Sequence, residues 1–321
     1  MRRDIGRAIG YLLVGSLAFF APLLDGRVGD TVAAVGSVAP LALVAVLALA
    51  SRRGRLFELL ASDGDREEGR LYSLASFALA VTALAVLAVG FDLPVVAFVA
   101  AVFVLTVGAL GRTLARSWVR TPVVGAAVFA VAGTLGSIAA ILLAGGLGAT
   151  VPSLPLIAFV AASGAVLGAL VRSTLTPRDD PLVLLSTALV LWFLLGLDLD
   201  PGAERIAIGL AVTVALGYVA YALGTASVTG MLTGVLLALF AVVLGGYGWF
   251  VLLVTFFGLG GLASKYRYDE KLDRGVAQED EGARGGGNVL ANSAVALVAV
   301  VAYAASDPLG VDPLVFQFAF V

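Results

Sequence analysis

The chain has 321 residues, of which 60% are hydrophobic and 13% are charged. Soluble domains carry about a quarter charged residues, so this composition excludes an ordinary soluble protein and predicts a protein of the lipid bilayer. The sequence contains no Cys and no His, which excludes disulfides, cysteine nucleophiles, and imidazole bases or metal ligands. Any chemistry must therefore use carboxylates, Lys, Arg, hydroxyls, backbone amides or a bound cation. We expect the lipid bilayer, and no nucleic acid, as a partner.

Eleven apolar segments approach or reach the length of about 20 residues that a membrane-spanning helix needs. In chain order they are 8–24, 31–50, 72–90, 94–111, 122–147, 154–171, 182–197, 206–223, 226–244, 248–264 and 288–305. The first follows a basic start without a cleavage site, so we interpret it as a span rather than a removed signal. A twelfth segment begins near residue 313. The sequence predicts an all-α, polytopic bundle of about 11–12 transmembrane helices.

The distribution of basic residues predicts how this bundle is oriented. With a cytoplasmic N-terminus, 18 of the 20 Lys and Arg residues fall in cytoplasmic segments, and Arg27 and Arg205 fall outside. Cytoplasmic loops of membrane proteins carry such an excess of positive charge. We therefore expect a multi-pass protein of the cell membrane whose main polar loops are cytoplasmic.

Two loops suggest how the chain is organised. The acidic segment 198–205, DLDPGAER, separates seven spans from the rest and predicts domains at 1–200 and 201–321. The segment 51–71 predicts an interfacial helix whose Leu56, Phe57, Leu59 and Leu60 lie against the bilayer. The small residues in 224–234, GTASVTGMLTG, favour ordinary close helix packing.

The longest polar interruption near the C-terminal end covers residues 265–287 and contains both lysines of the chain. Glu270 and Arg274 are four residues apart and can pair along one helical face. Gly285, Gly286 and Gly287 open the next span, where backbone N–H groups and the helix dipole favour an anion. Arg284 adds a side chain suited to phosphate, and Asn288 and Asn292 share a helix face. The alternative is a solvated loop with a flexible glycine hinge.

The run from Gly245 to Ser293 resembles the integral-membrane family catalogued as domain of unknown function 92, over about residues 205–305. The resemblance rests on Gly248-Trp249 before Phe256-Phe257, on Ser264, Lys265, Tyr266, Tyr268 and Lys271, and on Glu281, Gly282, Arg284, Gly285 and Asn288 to Asn292. That family includes phytyl-phosphate kinases. It continues with further polar segments beyond the point that corresponds to Val321, so we expect a site that is incomplete in this chain.

The resemblance implies a prenyl-phosphate kinase that uses Mg²⁺ and CTP or another nucleoside triphosphate, with an isoprenoid lipid phosphate as its substrate. The implied catalytic candidates are Lys265, Asp269, Glu270, Lys271 and Glu281. The implied phosphate-binding candidates are Arg267, Arg274, Arg284, Gly285, Gly286, Asn288 and Asn292.

The first 200 residues show a fainter resemblance to CTP-dependent phytol and dolichol kinases. It rests on the stretch LGALVRSTLTPRDDPLVLLSTALVLWFLL, in which Asp179 and Asp180 keep a carboxylate pair that could hold Mg²⁺. Pro181 and Arg172 replace residues of the expected pattern, and a loop cap beside Pro181 is an alternative role for the two acids. The resemblance implies a degenerate kinase-like domain of seven spans.

Two other functions are also compatible with the sequence. A transporter or flippase would suit the many spans, although the spans lack evident buried charges and matching broken helices in two halves. A catalytically inactive membrane scaffold is the third possibility. The oligomeric state does not follow from the sequence.

Overall fold

The computed structural model describes residues 2–116, 118–119, 121–175, 179–275 and 283–313. The regular elements in these ranges are helices, and one isolated bridge joins Ala226 to Arg284. The all-α fold predicted from the sequence is confirmed. The chain divides into two compact units, Met1–Gly196 and Leu197–Val321.

The N-terminal unit contains ten α-helices. They are α1 (Arg2–Gly15), α2 (Phe20–Leu24), α3 (Asp30–Ala50), α4 (Arg55–Leu60), α5 (Asp63–Glu68), α6 (Tyr72–Gly90), α7 (Val95–Ala115), α8 (Pro122–Leu147), α9 (Leu154–Thr174) and α10 (Asp180–Leu195). A 3₁₀ turn, Ser16–Phe19, joins α1 to α2. Proline in the first turn of α8, α9 and α10 favours helix initiation there, because its missing N–H has no partner to lose.

The core of the N-terminal unit lies around α7 and α9, whose side chains are buried along most of their length. Glycines allow α8 to approach α7 closely. A Cβ added at Gly133 would lie 3.0 Å from the Val104 carbonyl oxygen, and one at Gly136 would lie 2.6 Å from Val107 Cβ. Small residues thus bring the helix backbones together, as expected for packing inside a membrane.

The apolar helices agree with the predicted spans. In the described ranges, nine helices are long and apolar enough to cross a membrane, and Asp180–Leu195 and Tyr247–Ala263 are shorter apolar helices. All eleven predicted segments coincide with these helices, while the twelfth lies outside the described residues. Outward-facing side chains on α3, such as Val35, Leu43 and Val46, are more than half exposed. The protein is therefore a multi-pass integral membrane protein.

The prediction for segment 51–71 is wrong for Phe57 and stays a prediction for Leu56. A short helix does form, but Phe57 is buried inside the N-terminal unit, and Leu59 and Leu60 lie over glycines of α1. Leu56, in contrast, is 68% exposed. The following helix α5 begins with a capping box between Ser62 and Asp65. The segment therefore packs part of its apolar surface against its own unit and leaves Leu56 on the outside.

The C-terminal unit contains α11 (Ala203–Ala222), α12 (Val228–Phe240), α13 (Tyr247–Lys265), α14 (Tyr268–Asp273), α15 (Gly286–Ala304) and α16 (Ser306–Leu309). A π-helical turn, Ala241–Gly245, extends α12. Gly246, with φ of +96°, then reverses the chain into α13. Helix α12 packs against both α11 and α15.

Four helix termini meet at one end of the C-terminal unit. The parallel bridge between Ala226 and Arg284 places the starts of α12 and α15 side by side. Helix α11 ends just before this bridge, at Ala222. The last turns of α13 also lie here, because the Arg284 side chain binds the Gly260 carbonyl. The described start of the polar segment after α13 therefore lies next to the first residues of α12 and α15.

Candidate functional site

Arg284 is fixed in place by its own backbone. Its N–H donates to the Thr225 carbonyl over 3.0 Å, and its carbonyl accepts from the Ser227 N–H over 3.1 Å. These two bonds tie the residue before the glycine run to the turn between α11 and α12. Because both backbone groups are used, the direction in which the Arg284 side chain leaves the backbone is set.

The guanidinium of Arg284 lies across the end of α13. Its Nη2 donates to the Gly260 carbonyl over 2.8 Å. A Cβ added at Gly260 would lie 3.1 Å from both Nη atoms, so the missing side chain makes room for the guanidinium. Arg284 is half-buried and has no acidic partner among the ion pairs of the described residues. A guanidinium has five N–H donors, so donors remain for an anion.

Two helix N-termini flank this arginine. Ser227 caps α12 by accepting from the Gly230 N–H over 3.2 Å, and it shares a hydrogen bond of 3.0 Å with Thr229. The Thr229 hydroxyl also accepts from the Gly286 N–H, over 3.2 Å, in the first turn of α15. The positive ends of two helix dipoles therefore lie beside the Arg284 backbone, an arrangement that favours an anion there.

An apolar cavity of about 290 Å³ opens beside Arg284. Its lining from α11 and α12 includes Thr213, Leu216, Gly217, Val219, Ala220, Leu223, Gly230, Met231, Gly234 and Ala238, and its lining from α13 includes Leu253, Val254, Phe257, Gly258, Gly261 and Leu262. Arg284, Thr225, Ala226 and Val289 complete it. The cavity is thus lined by one cationic side chain, that of Arg284, and otherwise mainly by apolar residues.

The polar segment after α13 folds into the short helix α14, with Arg267 in the left-handed region at its start. The Glu270 carboxylate pairs with Arg267 over 3.4 Å, so the expected pairing with Arg274 is wrong. The Arg274 N–H still donates to the Glu270 carbonyl over 3.3 Å, so the two residues stay one helical turn apart, but the Glu270 side chain pairs with Arg267 instead. Lys271 Nζ donates to the Ala263 carbonyl over 2.6 Å, which holds α14 against the end of α13.

The other predicted loop residues lie at the start of α15 or on the surface at α14. Gly285 is the N-cap of α15 and Gly286 is its first residue. The shared face of Asn288 and Asn292 is confirmed, because Asn292 Nδ2 donates to Asn288 Oδ1 over 2.8 Å. Asp269 and Arg274 are exposed on the surface of the unit.

The side chains of two catalytic candidates are not among those that the structure describes. Glu281 lies outside the described residues, as does the side chain of Lys265, the last residue of α13. Their proposed roles stay predictions.

Asp179 and Asp180 occur in the N-terminal unit, at the start of α10. The buried Asp180 carboxylate pairs with the guanidinium of Arg172, at the end of α9. Within the described ranges, no group of three or more acidic side chains is arranged to hold a metal ion. A metal role for the two acids stays a prediction, and Arg172 competes for one of them.

Sequence reasoning missed Thr225, Ser227 and Gly260 as partners of Arg284, and Thr229 as the partner of Gly286. The segment 224–234 was interpreted as ordinary helix packing, although Ser227 three residues before Gly230 is an N-cap pattern. That pattern predicts where α12 begins. It carries no information about which distant segment the helix start will meet.

Comparison with known proteins agrees with the sequence resemblance at this site. No curated protein and no solved structure matches the chain. Residues 211–320, about a third of the chain, contain nearly all the residues of the cavity and of the polar segment, and they match the family described as integral membrane protein DUF92.

Proposed function

We propose that the C-terminal unit binds an isoprenyl monophosphate and transfers to it a phosphoryl group from a nucleoside triphosphate. The observation that carries the proposal is the position of Arg284, which lines an apolar cavity and whose backbone joins the starts of two helices. A ligand that fits both parts has an anionic head and a hydrocarbon tail. The resemblance of the same segment to phytyl-phosphate kinases narrows that class to isoprenyl phosphates.

The phosphate head belongs at Arg284. The guanidinium is held by the Gly260 carbonyl, so it is oriented before the ligand arrives. Charge-assisted hydrogen bonds to phosphate are about twice as strong as neutral ones. The first-turn N–H groups of α12 and α15 that are not bound by Ser227 or Thr229 add further donors, because such groups have no carbonyl partner within their own helix.

The isoprenyl tail belongs in the cavity between α11, α12 and α13. The cavity volume of about 290 Å³ is at the lower end of ligand pockets, which range from about 300 to 1,000 Å³. We assign the first isoprene units to the cavity, with the rest of a longer tail leaving between the helices into the bilayer. Burying each methylene contributes about 0.8 kcal/mol.

The polar segment after α13 supplies groups for the nucleotide. Phosphoryl transfer needs mainly positioning and neutralisation of charge, which Arg, Lys and backbone amides provide without His or Cys. We assign Arg267, Arg274, Lys265 and Lys271 to the nucleotide phosphates. Mg²⁺ is usually bound by one or two carboxylates together with substrate phosphates. The exposed Asp269 and Glu270 supply carboxylates of that kind next to α13, and Glu281 is a further candidate.

The proposed reaction forms one phosphorus–oxygen bond and breaks another. An oxygen of the isoprenyl monophosphate attacks the terminal phosphorus of the nucleotide. The bond between that phosphorus and its bridging oxygen breaks, so that a nucleoside diphosphate leaves and an isoprenyl diphosphate forms.

The first experiment measures binding and transfer separately. Purified chain in detergent is incubated with geranylgeranyl monophosphate, and then with Mg²⁺ and CTP or ATP labelled in the terminal phosphate. We expect Arg284→Met to weaken lipid-phosphate binding by about tenfold or more, because one charged hydrogen-bonding partner is lost. Arg205→Met is the matched control, since Arg205 is an exposed arginine in the first turn of α11.

A second variant tests the tail site without touching the head site. Gly234 lines the cavity, and a Cβ added there meets no atom within 4 Å. Gly234→Leu is therefore expected to fill part of the cavity and to weaken binding of geranylgeranyl monophosphate more than that of dimethylallyl monophosphate.

The outcomes separate the competing functions. Binding and transfer that both depend on Arg284 support the kinase. Binding without transfer points to lipid carriage, which counterflow in vesicles would then test. Equal binding by wild type and Arg284→Met would show that the proposed site is wrong.

A further inference from the structure

Four arginines of the N-terminal unit lie on α1, at the end of α7 and at the end of α9, and α7 packs against both α1 and α9. Arg172 lies in the last turn of α9. The charges of Arg7 from α1, and of Arg112 and Arg116 from the end of α7, all act on it. Like charges this close repel one another unless negative groups lie between them.

The acidic groups nearby are largely used by other partners. Asp180 pairs with Arg172, and Asp4 pairs with Arg7 over 3.5 Å. The carboxylate of Asp65 accepts from the backbone N–H groups of Ser62 and Ser73, each over 2.9 Å. In the part of the chain that the structure describes, Arg112 and Arg116 make no ion pair. These two arginines are therefore the positive charges of the cluster that no ion pair among the described residues neutralises.

Arg112 has a specific need for an acceptor. Its Nε is shielded from solvent and has no hydrogen-bond partner within the described residues. A shielded charged donor without an acceptor destabilises the protein, because it has lost its hydrogen bond to water. The Nε also lies beside the first turn of α8, since a Cβ added at Gly125 would be 3.5 Å from it. An anion at this point would meet Arg112 and the start of α8 together.

We infer that the N-terminal unit binds a phosphate group at Arg112, beside the Arg172–Asp180 pair. A phosphate has several oxygens and up to two negative charges, so it can bridge Arg112, Arg116 and the first-turn amides of α8. Trp118, which follows α7, is 87% exposed. Tryptophan is enriched where membrane headgroups begin, so the cluster lies at a depth that a lipid phosphate and a soluble phosphate can both reach.

This site is separate from the one around Arg284. It uses α7, α8 and α9 of the N-terminal unit and shares no residue with the cavity of the C-terminal unit. Arg284→Met is therefore expected to leave binding at Arg112 unchanged, whether or not the C-terminal unit is a kinase.

The experiment uses the full purified chain and two probes. Equilibrium dialysis with radiolabelled inorganic phosphate measures the soluble anion. Native mass spectrometry from nanodiscs of phosphatidylcholine with phosphatidylglycerol measures a retained anionic lipid. Displacement of that lipid by inorganic phosphate would identify a phosphate site open to both sources. Retention that phosphate does not disturb would identify a lipid headgroup site.

Three variants test the assignment. Arg112→Met is expected to lower retention of whichever probe binds by about tenfold or more, whereas Arg112→Lys keeps part of it. Arg53→Met, an exposed arginine in the loop before α4, is the matched control and is expected to bind as wild type does. Gly125→Leu keeps every arginine but places a side chain in the space beside Arg112 Nε, so it too is expected to abolish binding.

The inference is overturned by either of two results. One is that wild-type protein retains neither probe. The other is that Gly125→Leu and a folded Arg112→Met both bind as wild type does. If Arg112→Met does not fold, Gly125→Leu alone decides.

Discussion

Replacing Gly230 with Ala tests whether the starts of α12 and α15 meet as described. Gly230 lies in the first turn of α12, and an added Cβ would overlap the carbonyl oxygen of Arg284. The carbonyl carbon of Arg284 and that of Gly285 would be only 3.1 and 3.5 Å away. These are backbone atoms, so no side-chain rotation can relieve the overlap.

The expected cost follows from two opposing terms. In an unobstructed helix position, Ala is more stable than Gly by about 0.5–1 kcal/mol. At Gly230 the overlap must push Arg284 away from α12, which breaks the bonds to Thr225 and Ser227. Each buried group left unsatisfied costs about 1–3 kcal/mol. The loss of two bonds outweighs the helix term, and we expect net destabilisation of about 2 kcal/mol or more.

The assay compares two alanine variants in one helix. Gly234 has open space around its missing Cβ, so Gly234→Ala is expected to be neutral or slightly stabilising. Unfolding in mixed detergent is followed by the fluorescence of Trp249, which is buried in the C-terminal unit, after Trp118 and Trp192 are changed to Phe. If Gly230→Ala proves as stable as Gly234→Ala, the described crossing of α12 with Arg284 is wrong.

Three further substitutions have defined outcomes in unfolding measurements, with Trp249 kept as the reporter for the C-terminal unit and Trp192 for the N-terminal unit. Thr229→Val removes the acceptor of the Gly286 N–H and should cost about 1–2 kcal/mol, whereas Thr229→Ser should cost less. Asp65→Asn should destabilise the N-terminal unit by about 1–3 kcal/mol, because the fully buried carboxylate accepts from two backbone N–H groups. Arg172→Met should cost about 3–5 kcal/mol, and adding Asp180→Asn should restore most of it, because the single change leaves a buried charge unpaired. Additive losses in that last pair would contradict the ion pair.

The spans could be predicted because their signal is local. A bilayer requires about 20 apolar residues in sequence, and each predicted segment contains this signal without reference to any other. Short turns with Gly or Pro then separate one helix from the next, as at Thr121-Pro122 and Gly246. Eleven segments therefore coincide with helices, although none of this local information describes how the helices pack.

Segment 51–71 illustrates where local information ends. A short helix does form there, but Phe57 is buried whereas Leu56 is 68% exposed. The pattern cannot distinguish a bilayer from a protein surface, because both are apolar. Gly6 and Gly10 of α1 decide between them by leaving space for Leu59 and Leu60.

Only those parts of the candidate site that form a local sequence pattern could be predicted. The sequence indicated Arg284 and the glycines after it, since an arginine before a helix start is a local pattern. Thr229, which receives the Gly286 N–H, is 57 residues away. The acceptor of the Arg284 side chain, Gly260, is 24 residues away. Such partners become visible only when the helices are assembled.

Arg284 and Arg172 show why the assembled structure matters for function. Both lie at the ends of membrane helices, and each would be classed from sequence as a positive-inside residue. In the described structure Arg172 is neutralised by Asp180, whereas Arg284 is held by a neutral carbonyl. A partly buried cation that is positioned but not neutralised favours binding of an anion. The adjoining apolar cavity then favours an anion that carries a hydrocarbon chain, which is why we place the lipid phosphate at Arg284 rather than at Arg172.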